Sequence, residues 1–478
     1  MAQKPSPLGN IRGVITDDLG VEAISGAVVE VSDSLTGGVR WTTTDPSGKY
    51  QISELPASVY DVKATAVAFG PVEQKGIRLS AGQSLSLDFR LPFNPNQIIA
   101  HTHYTKTGIA ILEEQKFAPL RGKSVGLITN HTGMDSAGRR TIDVLVHADG
   151  VKLVVLFSPE HGISGNIDAD VPNGIDSATR LPIYSLYGDA RRPTDEMLKG
   201  VDALVFDIQD DGVRFFTYIT TMAYCMEEAA KRRIPFYVLD RPDPLGGEVI
   251  EGPMLDTDRI SFTGYFSMPV RYGMTIGELA KMFNDENHIG ADLKIFPLAD
   301  WRRGEIYDQT GLPWIPPSPN LRTVNAAFLY PGAEILQAGG ISVGRGTDKP
   351  FELVGAPWIQ ANTFAAALNR RKIPGVRFAP AEFTPSSDLY RAQRCQGVAM
   401  TVTDRDSFRS MRMGLEIADE LHRMYPDQFQ LEKINELLGS QSTIDRLKRG
   451  DAPADIVAGW SDDLAKFRKV REKYLLYK

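Results

Sequence analysis

Four short apolar runs in the middle of the chain each end in a knot of charged, amide or imidazole side chains, and segments of helical length separate them. Val151 to Gly162, VKLVVLFSPEHG, is the most pointed case: a strand-like run stops at Pro159 and delivers Glu160 and His161 side by side. Ser124 to Asn130 runs into His131 and Thr132. Ala203 to Ile208 runs into Gln209, Asp210, Asp211 and Gly212, and Pro235 to Asp240 into Arg241, Pro242 and Asp243. Between them, Thr141 to Asp149, Thr194 to Leu198 and Tyr218 to Arg233 read as helices. Two-sided apolar strands alternating with helices specify a parallel sheet covered on both faces. The polar knots then share one rim, which is where open α/β sheets bind ligands.

Asp, Asn, Pro and Gly after a strand also form turns and cap helices, and any one knot taken alone reads that way. The joint pattern asks for more than turns, because Arg214, Arg271 and Arg345 follow strand ends or glycine loops as well. A nucleotide site has little support: no GxGxxG follows the first strand, and the phosphate-loop pattern GxxxxGK with Ser or Thr does not occur.

The 478 residues, 42% hydrophobic and 24% charged, are enough for about three domains of ~100 to 200 residues each. A formal charge of −7 gives no support for a nucleic-acid footprint or a polybasic membrane patch. No apolar run approaches the ~18 residues of a membrane span, and MAQKPSPLGN lacks the apolar core of a secretory signal. Cys225 and Cys395 are too few for a disulfide framework and read as small core side chains. His101 and His103 have a suggestive spacing but no convergent carboxylate, so neither a metal nor another cofactor is expected. The oligomeric state is not set by the sequence.

The first ninety residues are of another kind. Gly13 to Thr16, Ala27 to Val31, Trp41 to Thr44, Tyr50 to Ile52, Tyr60 to Ala66 and Leu85 to Leu91 are short alternating or β-branched runs, divided by the turn signals DDLG, DPSG, LPAS and SAGQ. That pattern reads as a small all-β sandwich over 11–92, with a leader over 1–10 and a linker over 93–105. The stretch TTTDPSGKYQISELPASVYDVKATA resembles the carboxypeptidase regulatory-like domains placed at the front of extracellular bacterial proteins. The resemblance implies a spacer or contact module and favours an extracytoplasmic address, periplasmic or secreted.

Beyond Thr105 the segments GLITNHTGMD, LFSPEHGISG, LPIYSLYG, VDALVFDIQDDGVRFFTYITTM, VLDRPDPLGG, SMPVRYGMTIGELAKMFN, PPSPNLRT, SVGRGTDKPFELVGAPWI and FRKVREKYLLY together resemble the NamZ-type exo-β-N-acetylmuramidases. What this implies is a glycosidase of the bacterial cell wall. It would take a terminal N-acetylmuramic acid from the non-reducing end of peptidoglycan-derived saccharides, using no cofactor. The implied architecture is a Rossmann-like α/β catalytic domain over 106–323 and a smaller α+β domain over 324–478 that completes the cleft.

Glycoside cleavage needs an acid for the departing oxygen and a group that stabilises the oxocarbenium-like centre. Glu160 is the expected acid, with His161 tuning it or binding a hydroxyl; the plain alternative is a helix-capping pair. Asp210 leads for the second role, ahead of Asp211, Asp240 and Glu352, and attack by the sugar's own acetamido group stays open. Asp207, inside its strand, reads as a structural hydrogen-bond hub. The lactyl carboxylate of muramic acid calls for a guanidinium fork. Arg345 leads Arg271 and Arg214 for that clamp, each with a structural salt bridge as its alternative, while Asn130 and His131 offer hydroxyl contacts and Glu352 faces the rim from across the cleft. Tyr184, Tyr187, Trp314 and Trp358 read as core rather than sugar platforms. A zinc deacetylase or amidase is a weaker reading. A non-catalytic protein that holds muropeptides is the alternative from another class.

Overall fold

The computed structural model describes residues 7–18, 20, 23–24, 26–35, 39–66, 69–92, 104–167 and 169–478. Most of the leader and linker, with His101 and His103, lies outside those residues.

In the front domain one sheet holds β1 (Gly9–Asp17), β4 (Lys49–Leu55), β7 (Ser84–Ser86) and β8 (Phe89–Leu91), and the other holds β2 (Val28–Asp33), β3 (Val39–Thr43), β5 (Ser58–Ala66) and β6 (Phe69–Leu79). Ile11, Ile15, Ile52 and Phe89 from the first meet Val29, Val31 and Val62 from the second in one apolar core, which is why the alternating pattern folds as two facing sheets. The Thr43 hydroxyl donates to the Gly138 carbonyl at 3.3 Å, tying this domain to the next.

The central sheet runs β11 (Gly174–Ile175), β12 (Pro182–Ser185), β10 (Lys152–Ser158), β9 (Ser124–Thr129), β13 (Ala203–Asp207), β14 (Phe236–Leu239), β15 (Leu293–Phe296). All its pairings are parallel except that of β11 with β12. Its faces separate by strict alternation: Leu204 and Phe206 of β13 enter one core with Ile219 and Met222 of helix Tyr218–Arg232, whereas Ala203 and Val205 enter the other with Ile142 and Leu145 of helix Thr141–Val146. The segment Thr194 to Leu198 is a run of turns instead of a helix; closed between Pro193 and Gly200, it is too short to repay helix nucleation. From β9 the chain steps to β10 on one side and later crosses to β13 on the other, so the carboxyl ends of these strands frame a crevice.

The C-terminal domain has an antiparallel sheet in the order β16 (Leu353–Ala356), β18 (Cys395–Val402), β17 (Val376–Phe383). Two of its helices, Val324–Ala338 and Ser410–Met424, cross where Gly332 and Gly414 meet; a Cβ on Gly332 would lie 2.0 Å from the Ser410 carbonyl oxygen. Pro331 opens the first helix there, and the Ser410 hydroxyl fills the gap by accepting from Gly332 N at 2.8 Å and donating to the Leu329 carbonyl at 3.1 Å. Leu329, Leu336 and Leu415 belong to the same apolar core as Phe157 and Phe206, so the two domains are packed as one body.

The segment 471–478 returns to the central domain. Arg471 donates to the carbonyls of Gly247 at 2.8 Å and Gly273 at 2.7 Å, Arg303 N donates to the Lys478 carbonyl at 3.1 Å, and the Tyr477 hydroxyl donates to Asp240. Among the described residues no helix is long and apolar enough to cross a membrane.

Candidate active site

Pro159 ends β10 and turns Glu160 into a cavity of about 370 Å³ between the central and C-terminal domains. The Thr217 hydroxyl donates to the Glu160 carboxylate. Thr217 stands at the N-cap of helix Tyr218–Arg232, yet its side chain makes no cap hydrogen bond, so the hydroxyl is given to Glu160 instead of to the helix. Tyr187, beyond the end of β12, lines the cavity near the same carboxylate; burial and that carboxylate push its own ionisation up to about 12, so it remains a protonated phenol at neutral pH. A hydroxyl both donates and accepts. The Thr217 hydroxyl can therefore partner the carboxyl group whether or not that group carries a proton.

His161 has left-handed backbone geometry, φ 67°, and lines the cavity beside Glu160. Its Nδ1 lies 2.9 Å from the Ile167 carbonyl, an acceptor only, so Nδ1 carries the proton. His131 sits behind it. Burial, with a smaller push from His161, brings its imidazole down to about 4 against a favourable Pro316 carbonyl, and its Nε2 donates to that carbonyl at 2.6 Å. The Tyr218 hydroxyl donates to the next carbonyl, Pro317, at 2.6 Å. Together they fix the PPSPN loop, which puts Ser318 and Asn320 on the cavity wall.

Across the cleft the C-terminal domain contributes Tyr330, Glu334, Arg345 and Phe351. Tyr330 and Glu334 are one turn apart on helix Val324–Ala338. An Arg345 nitrogen lies 2.7 Å from a Glu334 oxygen and another 3.8 Å from Asp388. Gly344 and Gly346, at φ 79° and 76°, let the Arg345 loop lie against Lys349 and Ser387, where a Cβ would come within 2.7 Å and 2.6 Å of backbone. Glu160, Tyr187 and Arg345 also line a neighbouring cavity of about 490 Å³, walled by Ala169, Asp170, Ser387 and Asp388.

Glu160, His161 and Arg345 thus meet at one site, and the other sequence candidates do not line it. Asn130 is a turn former, its Oδ1 accepting from the Thr132 amide at 2.9 Å and hydroxyl at 2.6 Å. Arg214 is fully buried and donates to four carbonyls, Pro253, Met268, Leu437 and Leu438, at 2.7 to 3.0 Å. Arg271 donates to the Leu245 carbonyl and pairs with Glu251 at 3.6 Å, while Glu251 accepts from the amides of Ser410 and Met411. Both arginines brace the domain junction. Glu352 accepts from the Thr323 hydroxyl at 3.2 Å, Asp240 is enclosed by Thr275, Gly277 and Tyr477, and Asp207 is a hub for Thr141 and Arg241. Tyr187 is not a core residue. Thr217, Glu334 and Arg191, which lies 4.4 Å from the centre of the Phe262 ring at the cavity edge, carried no sequence signal beyond their motifs.

Asp210 is buried beneath the rim, accepting from the Tyr272 hydroxyl and the Gly212 amide, and burial raises it to about 6. Beside it Asp243 is raised to about 7 by burial, and Asp211 well above its ordinary value by burial and by both neighbours; among the described residues neither Asp211 oxygen has a hydrogen-bond partner. An acid raised in the folded state holds a proton that the unfolded chain releases above ~3.9, so its stabilisation fades as pH rises through the folded value. Asp211→Asn, neutral at every pH, should therefore stabilise the fold progressively more above pH 4, by up to about 1.4 kcal/mol per pH unit. Denaturant unfolding at pH 4 and pH 8 checks this; equal midpoint shifts at both would contradict it. Among the described residues no group of His, Cys, Asp and Glu has the arrangement to hold a metal ion.

Residues 125–325 match the family described as exo-β-N-acetylmuramidase NamZ, N-terminal, residues 328–477 its C-terminal counterpart, and residues 10–92 the carboxypeptidase regulatory-like domain. The peptidoglycan β-N-acetylmuramidase NamZ of Bacillus subtilis (strain 168) is 44% identical over 377 residues, 78% of this chain and 91% of that protein. Crystal structures of two DUF1343 family proteins from Bacteroides fragilis NCTC 9343 are similar at 41% identity and TM-score 0.73, and at 29% and 0.63. Each covers 78% of this chain and 99% of its own. With both halves of the cleft accounted for by one family and the front sheets by another, the chain belongs to the NamZ exo-β-N-acetylmuramidase family and carries a carboxypeptidase regulatory-like domain ahead of it.

Proposed function

We propose that the protein removes a terminal β-N-acetylmuramic acid from the non-reducing end of peptidoglycan fragments, with Glu160 as the general acid. The observation that carries this reading is the position of Glu160 at the seam of two cavities. One, about 370 Å³, has Phe215, Phe216, Tyr330 and Phe351 among its walls; the other, about 490 Å³, has mostly polar ones. An acid that protonates a glycosidic oxygen must sit between the sugar that is kept and the part that departs. The aromatic cavity then takes the one terminal sugar, and the polar one takes the leaving fragment. In this reading the central domain is Rossmann-like and spans 106–323, the C-terminal domain closes the cleft over 324–478, and the front domain over 11–92 acts as a spacer or contact module at an extracytoplasmic address.

Two cations reach the aromatic cavity. Arg345 already shares its charge with Glu334 and Asp388, whereas Arg191 lies on the Phe262 face and has no ion pair among the described residues. A carboxylate is attracted more to the cation that has no carboxylate yet, so the lactyl group is assigned to Arg191 in preference to Arg345. The deciding experiment is incubation with the disaccharide of N-acetylmuramic acid linked to N-acetylglucosamine, followed by analysis for free monosaccharides. Release of both sugars is expected. No release between pH 5 and 8 would turn the reading to a protein that binds muropeptides without cutting them.

A further inference from the structure

A glycosidase cleft needs a second group opposite its acid, and the residue expected for it, Asp210, is buried away from the cavity. The cavity itself holds one other carboxylate among the described residues that line it, Glu334. It comes from helix Val324–Ala338 of the C-terminal domain, facing Glu160 of the central domain across the cleft. Its side chain is 11% exposed and anchored by the Arg345 guanidinium at 2.7 Å. The helix that carries it cannot slide, because Gly332 is locked against Ser410 and Gly414 two residues before Glu334. Tyr330, one turn away, has its ionisation raised by burial and then by Glu334, with smaller contributions from Asp211 and Glu160, so its hydroxyl lies in the field of both cavity carboxyl groups.

We infer that Glu334 is the second catalytic carboxylate, stabilising the positive charge that develops at the anomeric carbon, and that Arg345 is its positioning residue. This inference rests on the glycosidase reading. As the bond from the anomeric carbon to the glycosidic oxygen breaks, its electron pair stays on that oxygen, which takes the proton of Glu160. The cationic sugar carbon lies opposite the Glu334 carboxylate until a water oxygen bonds to it. The proton lost by that water passes to one of the two carboxylates, so the pair ends the cycle with the single proton it began with.

The test compares the full-length wild type with Glu334→Gln on two substrates, the natural disaccharide and an aryl β-glycoside of N-acetylmuramic acid. A group acting on the sugar carbon matters whatever the leaving group is. Glu334→Gln should therefore lower kcat by roughly 10² to 10³ on both substrates, with KM little changed. A rise in KM at constant kcat would mean that Glu334 only shapes the binding site, and near wild-type turnover would remove it from the mechanism; either overturns the inference. If Glu334→Gln does not fold, Glu334→Asp, which keeps the charge but withdraws it by one methylene, carries the same comparison. A wild type that releases no sugar defeats the glycosidase reading itself, whereas an active wild type with an active Glu334→Gln defeats this inference alone.

Discussion

Glu160→Gln is expected to lower kcat on the natural disaccharide by roughly 10² to 10⁴, the usual worth of general acid catalysis, and to leave an aryl glycoside with a good leaving group far less affected. Glutamine keeps the shape of the side chain and can still engage the Thr217 hydroxyl. What it lacks is a proton to give. A sugar hydroxylate is a poor leaving group and depends on that proton, while a nitrophenolate does not. Steady-state rates on the two substrates measure the difference directly. Equal losses would place Glu160 at the sugar carbon instead of at the departing oxygen, and no loss on either would take it out of the chemistry.

Arg214→Ala should destabilise the protein on the order of 3 to 5 kcal/mol, at the upper end for a single side chain. Burial pulls this guanidinium down to about 9, and its hydrogen-bond acceptors are the carbonyls of Pro253, Met268, Leu437 and Leu438. Two of these belong to the central domain and two to the C-terminal domain. Truncation leaves three of them without a donor in a closed space, while the Met268 carbonyl keeps the Leu255 amide at 3.2 Å. The midpoint of denaturant unfolding should fall, while the native fraction keeps its preference for muramic acid over N-acetylglucosamine. A change in that preference at unchanged stability would restore Arg214 as a substrate clamp.

Arg214 also shows where sequence reading loses its grip. An arginine just past the strand end at Ala203 to Ile208 is in the right place for a clamp, but direction decides its role. Its partners Leu437 and Leu438 lie more than 200 positions away, and no local pattern announces them. Glu334 and Tyr187 were hidden for the same reason: a mid-helix Glu and a Tyr after a short strand become site residues only when two domains close on each other. By contrast, β9, β10, β13 and β14 and helix Tyr218–Arg232 were legible to within a residue or two, because burial on both faces leaves a continuous apolar run that polar segments cannot imitate. In the front domain the missed strand was β6 (FGPVEQKGIRL), whose alternation is blurred by a proline, two glycines and a half-exposed face.

The return of residues 471–478 to the central domain has a consequence for how the protein is made. Tyr477 is 237 positions after Asp240, the buried carboxylate it encloses. At ~5 to 20 residues per second of synthesis, that interval amounts to roughly 10 to 50 s. Once β15 has been made, the nascent central sheet passes the rest of it without the hydroxyl that closes over Asp240 and without the Arg471 bonds to Gly247 and Gly273. The ribosome-bound chain is thus a substrate for chaperones and proteases well after its sheet has been translated. Closure over Asp240 is coupled to the emergence of a segment 237 positions further on.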